Sequence, residues 1–302
     1  MSNPHLAQIV DSAIARRASL LTPHNDLARL IDGKGDDLPG IYLETMGGQW
    51  LLSTTNRQPS PELKTILRDR APAALYWKPL DQNQKDSPVH LAGPKTPKFF
   101  SGIENDLTCR LSFYSGYSQG IFLDQRNNRV KLRQLIQPGQ TVLNTFSYTG
   151  FFSIAAAAAG ATTSTLDLSQ VYLDWTRDNF RLNDLPPEEH YFCKGDTFHW
   201  LRRFGKQRRQ FDFIILDPPT FSRDDKGKVF RVEKDYPRLF SLALGCLSPG
   251  GTILACHNYR GMSISDFVKQ LSQINPKANF QPEAMPEDFT ESQYLKSVWV
   301  TA

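Results

Sequence analysis

Hydrophobic and polar residues follow two different rhythms along this chain. In the first part, short strand-like runs lie between stretches with helical spacing, which predicts a small α+β domain over residues 1–113. The segment Asp81–Lys98 is polar and contains three prolines, so we predict a loop or linker there. The predicted elements are helices at Leu6–Leu20 and Pro61–Arg70, strands at Leu27–Ile31, Gly40–Glu44, Trp50–Thr54 and Ala74–Lys78, and a hairpin of Phe99–Ile103 with Leu107–Phe113.

From Gln140 onward, nearly all-apolar strands alternate regularly with helices. The strands are predicted at Thr141–Asn144, Thr163–Asp167, His190–Cys193, Phe211–Leu216 and Gly251–Cys256, and the helices at Phe151–Gly160, Gln170–Asn183, Thr197–Phe204, Lys234–Leu247 and Ile264–Ile274. Such alternation indicates a parallel sheet with helices on both faces. We therefore predict a doubly wound, Rossmann-like α/β domain over residues 114–302. Its ligands should bind beyond the carboxyl ends of the strands.

Composition narrows the class of protein. The chain has 302 residues, of which 40% are hydrophobic, and a net charge of only +4, so it is globular and charge alone does not identify a partner. The four cysteines form no C-x-x-C pair, which argues against a disulfide framework or a zinc site and fits a reducing cytoplasm. We find no secretory leader and no apolar run long enough to span a membrane, and we expect no metal.

Polar residues follow the first three strands of the second domain. The segment from Asn144 to Gly150 is a polar turn into a helix, whose backbone N–H groups could meet the anionic end of a ligand, although a capped structural turn explains it too. Asp167 ends the second strand, a position where an acid in this topology binds ribose hydroxyls. Alternatively, Asp167 could supply negative charge near the first turn of the next helix. Asp196 follows the third strand, as an acceptor for adenine or a helix N-cap. Together these residues predict a slot for an adenosine.

The fourth strand delivers the most specific motif, Asp217-Pro218-Pro219-Thr220-Phe221. Two consecutive prolines fix the backbone and remove two N–H donors, so carbonyl oxygens are left unpaired beside a carboxylate and an aromatic ring. Such a group of acceptors beside a ring suits the binding of a planar base, which would be hydrogen-bonded through its amino edge and stacked on the ring. The alternative is that the motif is only a structural turn.

Three further segments carry polar or basic residues. The loop 222–234 could hold phosphates or be simply solvated, because three acids are interleaved among its basic residues. The segment 256–261 should lie at the same edge of the sheet as the Asp217–Phe221 motif. The basic cluster 202–209 precedes the fourth strand, so we expect it at the opposite end of the sheet as a solvated turn.

These motifs resemble those of class I S-adenosylmethionine-dependent methyltransferases, and more narrowly the bacterial 23S ribosomal RNA methyltransferases, over roughly residues 27 to 300. The blocks that carry the resemblance are SGYSQGIFLDQRNNR, VLNTFSYTGFFSIAAAAAGA, LDLSQVYLDWTRDNFRLNDL and FDFIILDPPTFSRDDKGKVFRVEKDY. The chain departs from the family in having Ser118-Gln119-Gly120 where Lys-Thr-Gly is usual, and in having only about 25 residues before the region of resemblance, where a further RNA-binding module is usual.

The resemblance implies roles for particular residues. It implies S-adenosyl-L-methionine as cofactor, S-adenosyl-L-homocysteine as product and 23S ribosomal RNA as partner, with RNA binding by the N-terminal domain and a homodimer left open. The implied cofactor-binding residues are Asn144, Phe146, Ser147, Tyr148, Thr149, Gly150, Asp167, Leu168, Ser169, Asp196, Thr197 and Asp217. The implied catalytic residues that grip the base are Asp217, Pro218, Pro219 and Phe221, and the implied substrate-binding residues are Asp124, Gln125, Arg126, Arg223, Asn258 and Arg260.

Two branches of that family compete, one making 7-methylguanine and one making 5-methylcytosine. The cytosine reaction needs a thiolate that adds to C6, and at the position where that branch carries its cysteine this chain has Asn258. Cys256 lies two residues earlier and is a weaker candidate. We therefore favour methylation of guanine N7. Methylation of cytosine C5, of an exocyclic amino group or of a small molecule, and a non-catalytic RNA chaperone that binds the cofactor, remain as alternatives.

Overall fold

The computed structural model describes residues 4–55, 58–71, 73–80, 86–116, 118–223 and 229–302. By its contacts the chain forms two compact units: unit 1 comprises Met1–Arg126 with Pro286–Gln293, and unit 2 comprises Asn127–Met285 with Tyr294–Ala302. Residues 114–126 and 286–293 therefore pack within unit 1. The predicted domain division at residue 113 stays a prediction.

Unit 1 is built on a five-stranded sheet in the order β1-β2-β3-β4-β5, in which only β3 and β4 pair in parallel. Its elements are α1 (Pro4–Arg16), β1 (Leu27–Asp32), β2 (Ile41–Met46), β3 (Gln49–Thr54), α2 (Pro61–Arg68), β4 (Leu75–Pro79), β5 (Val89–Ala92), β6 (Phe100–Glu104) and β7 (Leu107–Leu111). β6 and β7 form the predicted hairpin. The apolar faces of both helices and of the sheet form one buried cluster that includes Val10, Leu30, Leu52 and Leu67.

Unit 2 is built on a seven-stranded sheet in the order β10-β9-β8-β11-β14-β16-β15, with α3 (Arg126–Leu135) leading into it. The elements are β8 (Thr141–Thr145), α4 (Phe151–Ala158), β9 (Thr162–Asp167), α5 (Gln170–Leu182), β10 (Tyr191–Lys194), α6 (Thr197–Lys206), β11 (Phe211–Leu216), β12 (Phe221–Arg223), β13 (Val229–Arg231), α7 (Val232–Leu244), β14 (Leu247–His257), α8 (Ile264–Ile274), β15 (Asn279–Glu283) and β16 (Lys296–Thr301). Strands β10, β9, β8, β11 and β14 pair in parallel, and β16 runs antiparallel to both of its neighbours. The predicted mostly parallel α/β sheet is confirmed.

Some elements differ from the prediction. β5 lies inside the segment that we predicted to be a loop, because an edge strand needs only one partner and tolerates prolines on either side. β15 and β16 were not predicted. β15 contains Pro282, which edge strands tolerate, and β16 begins with a lysine, so neither has an all-apolar pattern. β12 and β13 form a short hairpin within the predicted basic loop.

Candidate active site

The carboxyl ends of five parallel strands meet at one edge of the unit 2 sheet. The chain builds β8, β9 and β10 outward in one direction and then returns to place β11 on the other side of β8. This reversal between β8 and β11 is a topological switch point, where open α/β sheets bind their ligands. The turns that follow β8, β9, β10, β11 and β14 therefore define the candidate site.

The turn after β8 has an unusual backbone, with several residues in the left-handed region. Phe146, Tyr148 and Gly150 have positive φ angles of 52°, 50° and 77°, alternating with residues in ordinary conformations. The Ser147 N–H donates to the Leu166 carbonyl at 3.1 Å, which ties the turn to the end of β9. A Cβ atom at Gly150 would overlap the side chain of Thr176 on α5, so the turn and the helix approach each other closely.

Asn144 and Thr149 support this turn from beneath. Asn144 is 1% exposed, and its Nδ2 donates to Ser153 Oγ at 3.0 Å, an oxygen that also accepts from Thr165 Oγ1 at 2.8 Å. The buried Thr149 offers its carbonyl to Asn179 Nδ2 at 2.9 Å. The side chain of Asn144 thus faces a buried polar cluster, and it shapes the turn through this cluster.

Asp167 connects the turns that follow β8 and β9. Its Oδ2 accepts from the Tyr148 N–H at 2.9 Å and its Oδ1 from the Ser169 N–H at 2.8 Å. Burial raises the pKa of this carboxyl, while backbone N–H groups of Ser169, Tyr148 and Leu168 lower it. Since a carboxylate has about four acceptor positions, each oxygen retains capacity for a ligand hydroxyl. Ser169 caps α5 by accepting from the Tyr172 N–H.

Asp196 is the N-cap of α6, as one of the two sequence interpretations expects. Its Oδ1 accepts from the His199 N–H at 2.9 Å, and Thr197 behind it is buried. Within the described part of the chain, its Oδ2 accepts no hydrogen bond. Capping therefore occupies one carboxylate oxygen, and a ligand amine could use the other.

The turn after β11 carries the Asp-Pro-Pro motif. Pro218 is buried, Pro219 is exposed, and Phe221 is 53% exposed. The strand end is fixed from below, because the buried Tyr236 hydroxyl donates to the Leu216 carbonyl at 3.0 Å. Burial, with the charges of Cys256 and Asp217, raises the pKa of Tyr236 well above its ordinary value. Tyr236 thus remains a neutral hydrogen-bond donor.

The turn after β14 is joined to this motif. Thr220 Oγ1 donates to Oδ1 of Asn258, which lies in the loop after β14. Beneath that loop, the buried Lys296 amine donates to the carbonyls of Tyr259 at 3.1 Å and Tyr294 at 2.9 Å. Arg260 is exposed and lies over the Tyr294 ring at 5.4 Å. Sequence reasoning missed Lys296 and Tyr236, although a lysine at the start of the apolar strand SVWVT is an unusual feature.

Two buried polar atoms in this region have no hydrogen-bond partner among the described residues. Ser147 Oγ lies in the turn after β8, and His257 Nε2 lies at the end of β14. The pKa of His257 is lowered to about 4 by burial and by the charge of Lys296. A buried hydroxyl without a partner is costly, so Ser147 fits a turn that is completed by a polar ligand.

The remaining predicted substrate residues belong to unit 1 or lie outside the described set. Asp124 and Gln125 lie in a 3₁₀ turn of unit 1, and Arg126 follows it. The buried Arg126 guanidinium donates to both carboxylate oxygens of Asp288, at 2.5 and 3.2 Å, so its described contacts are structural. The side chain of Arg223 and all of residues 224–228 lie outside the described residues, and the roles of these residues stay predictions.

The comparisons with known proteins agree with this geometry. The family model for S-adenosylmethionine-dependent methyltransferases matches residues 81–290. Over its full length the chain is similar to SMU.776, a methyltransferase structure complexed with SAH, with 28% identity, a TM-score of 0.90 and 82% of that chain covered. An S-adenosylmethionine-dependent methyltransferase from Agrobacterium tumefaciens has a TM-score of 0.72 at 18% identity over 93% of this chain and 90% of its own, which supports the fold alone.

The curated relatives are longer proteins. The chain is 36% identical over 172 residues to "Ribosomal RNA large subunit methyltransferase K" of Neisseria meningitidis serogroup B, which covers 56% of this chain and 48% of that protein. It is 33% identical over 215 residues to "Ribosomal RNA large subunit methyltransferase K/L" of Legionella pneumophila strain Corby, covering 71% of this chain and 29% of that protein. The chain thus spans about half or less of the length of these relatives.

Fold and site together define a class I methyltransferase, with a Rossmann-like sheet and polar turns at its carboxyl edge. The chain belongs to the S-adenosylmethionine-dependent methyltransferase family, since the family model matches more than half of it. It is therefore an enzyme that uses S-adenosyl-L-methionine as methyl donor. No helix in the described ranges is long and apolar enough to cross a membrane.

Proposed function

We propose that this protein transfers a methyl group from S-adenosyl-L-methionine to a base of 23S ribosomal RNA, and that the favoured acceptor is guanine N7. The observation that carries the proposal is the Asp217-to-Phe221 turn, which places two prolines and a half-exposed aromatic ring at the switch-point edge of the sheet. The relatives named as ribosomal RNA large subunit methyltransferases support RNA as the substrate. A ribosomal RNA substrate also implies a cytoplasmic location.

The turns after β8, β9 and β10 supply the groups that would hold the cofactor. The ribose hydroxyls would bind the Asp167 carboxylate, whose two oxygens are already oriented by backbone N–H groups. Ser147 Oγ would gain the partner that it lacks in the described contacts. The second oxygen of Asp196 would accept a hydrogen bond from the adenine amino group. Bound in this way, the cofactor supplies a sulfonium-activated methyl group.

The residues after β11 would hold the base. Phe221 would stack on the face of the guanine, and the Asp217 carboxylate with the proline carbonyls would accept hydrogen bonds from its amino edge. Guanine N7 carries a lone pair, so no general base has to remove a proton from it. The protein's contribution is then to align N7 with the methyl group and to exclude water. The Asp217 carboxylate would also favour the positive charge that N7 gains as the methyl group is transferred.

The cysteines argue against the cytosine alternative. All four are buried, and Cys256 is completely inaccessible within β14, where its thiol donates to Ser297 Oγ at 3.4 Å. A thiolate that attacks C6 of cytosine must reach the base, and Cys256 would need β14 to open first. A reaction that needs no nucleophilic side chain suits this site better.

The test is methyl transfer from radiolabelled S-adenosylmethionine to 23S ribosomal RNA that was transcribed without modifications. The wild-type protein should label the RNA, and Asp217→Ala should lose at least about a hundredfold in rate, in line with the loss of a charge-assisted contact in a water-poor site. Cys256→Ser, the matched control, should retain the wild-type rate. Labelling by Asp217→Ala at the wild-type rate would remove the basis of the proposal. A loss of activity in Cys256→Ser would favour the cytosine reaction.

A further inference from the structure

One short stretch of this chain is rich in positive charge. Residues 191–210 contain six lysines and arginines against one aspartate, while the whole chain has a net charge of only +4. The charge therefore does not cover the surface evenly. It lies on β10, on α6 and on the turn that follows α6.

Much of this charge lies on an exposed part of the protein. Lys194, Arg203, Lys206 and Arg208 are exposed, and Arg202 is partly exposed. On α6, Arg202 and Lys206 are four residues apart, so two like charges occupy neighbouring positions on the helix surface, which weakens a helix slightly. The dipole at the end of α6 favours some positive charge there, but Lys194 lies on β10 and Arg208 lies beyond the helix.

These cations lack acidic partners. Among the residues that the structure describes, Arg202, Lys206 and Arg208 form no ion pair. By contrast, Arg177 and Arg181 on α5, the preceding helix in sequence, each pair with an aspartate on their own helix. The positive charge of α6 is therefore left for an external anion.

Aromatic rings lie among these charges. Tyr191 is 54% exposed, and the Arg209 guanidinium lies 4.8 Å from the centre of its ring. The Arg203 guanidinium lies 4.9 Å from Trp200, whose indole N–H donates to the Lys194 carbonyl at 3.1 Å. Arg209 itself is held by a hydrogen bond to Ser164 Oγ at 2.7 Å, so it positions Tyr191 rather than serving a ligand. Rings with adjacent guanidinium groups are a common platform for unpaired nucleic-acid bases.

We infer that Tyr191, Lys194, Trp200, Arg202, Arg203, Lys206 and Arg208, the α6 surface, bind single-stranded RNA flanking the target base. This inference rests on the proposed function and names a second contact for the same substrate. α6 begins at Asp196, on the edge that carries the candidate site, and its ten residues extend about 15 Å toward the opposite edge. RNA held along α6 would therefore reach the edge where the base is methylated. Under this inference, the basic cluster 202–209 contacts RNA, whereas its sequence led us to expect a solvated turn.

The experiment compares two double variants that each remove two exposed positive charges from unit 2. Lys206→Gln with Arg208→Gln changes the α6 surface, and Lys269→Gln with Lys277→Gln is the matched control. Binding of unmodified 23S ribosomal RNA is measured by filter binding over a series of salt concentrations. Each phosphate contact on a single strand contributes about 0.7 to the slope of log affinity against log salt, so the α6 variant should lose about 1.4 from the slope.

Affinity of the α6 variant should also fall several-fold at moderate salt, and its KM for RNA should rise while kcat and the affinity for S-adenosylmethionine stay unchanged. The control variant should behave as wild type. An α6 variant with wild-type affinity and slope would overturn the inference and leave the proposed function intact. Failure of the wild-type protein to bind ribosomal RNA, with normal binding of S-adenosylmethionine, would instead refute the RNA substrate itself.

Discussion

Asp167 is the residue on which the proposed cofactor binding depends most directly. Both of its oxygens accept backbone N–H groups, from Tyr148 and Ser169, and this fixes their direction. An asparagine would turn an NH₂ group toward one of these N–H donors. The carboxylate therefore shapes the turn after β8, and in the proposed function it also binds the ribose of the cofactor.

We predict that Asp167→Asn weakens S-adenosylmethionine binding by about ten- to a hundredfold, the range expected for hydrogen bonds to a charged group.

The pH dependence of S-adenosylmethionine binding follows from the raised pKa of the Asp167 carboxyl. As pH falls, Asp167 takes up its proton at a higher pH than an ordinary aspartate, so wild-type affinity should begin to fall earlier on the acid side. Calorimetric titration between about pH 4 and pH 7 checks this, and an equally pH-dependent Asp167→Asn protein would contradict it.

The raised pKa of the Asp167 carboxyl also affects the free energy of unfolding of the protein. The folded state holds the proton more tightly than the unfolded state, so ionisation of Asp167 costs folding free energy once the pH exceeds the unfolded pKa. The cost is complete above the folded pKa. Under the proposed function, cofactor binding at this carboxylate would oppose the cost.

Gly150 offers a second test at the scale of one residue. Its φ of 77° disfavours other residues, and an added Cβ would overlap the Thr176 side chain. Gly139 has a φ of 87° but open space around it, so it is a control for backbone strain alone. We predict a loss of about 1 kcal/mol in unfolding free energy for Gly139→Ala and about 3 kcal/mol for Gly150→Ala. Urea denaturation measures both, and equal losses would contradict the close approach of the turn to α5.

At the scale of elements, β16 supports the loop after β14 through one lysine, Lys296. The Lys296 amine donates to the Tyr259 and Tyr294 carbonyls, and burial together with the charge of Arg260 lowers its pKa. Tyr259 follows Asn258, which binds Thr220 of the Asp-Pro-Pro turn. The position of the Asp-Pro-Pro turn therefore depends on a strand that contributes no residue to the predicted site.

Replacing Lys296 by methionine keeps the length of the side chain but leaves two carbonyls without their donor. We expect the catalytic efficiency toward RNA to fall about tenfold, because the loop after β14 loses its anchor, while affinity for S-adenosylmethionine stays unchanged. The exposed Lys269→Met is the control and should have no effect. If Lys296→Met lost as much affinity for S-adenosylmethionine as catalytic efficiency toward RNA, the lysine would support the whole of unit 2 rather than the loop after β14 alone.

The elements differ in how far the sequence could predict them. The five parallel strands are short apolar runs, and each of the turns Asn144–Gly150, Asp167–Ser169 and Asp217–Phe221 follows such a run, so their convergence could be inferred from topology alone. β15 and β16 could not be inferred in this way, because their polar and proline residues interrupt the alternation. Other features depend on contacts between residues that are apart in sequence. These features are the inward direction of the Asn144 side chain, the contacts of Lys296 and the lack of a described partner for Ser147 Oγ.

At the scale of the whole molecule, unit 2 combines two features that would serve one substrate in the proposed function. Its sheet brings the turns after β8, β9, β10 and β11 to one edge. The α6 surface extends away from that edge, and its Arg202, Lys206 and Arg208 form no ion pair with any described residue. Neither feature requires a general base or a nucleophilic thiol. The account is thus one of catalysis by alignment, with RNA affinity supplied partly by phosphate contacts.

The most direct test of this account is nucleoside mass spectrometry of 23S ribosomal RNA from cells that contain or lack this protein. One 7-methylguanosine should disappear when the protein is absent, and it should return with the wild-type protein but not with Asp217→Ala. Loss of 5-methylcytidine or of an N-methylated amino group instead, or an unchanged set of modified nucleosides, would contradict the proposed acceptor.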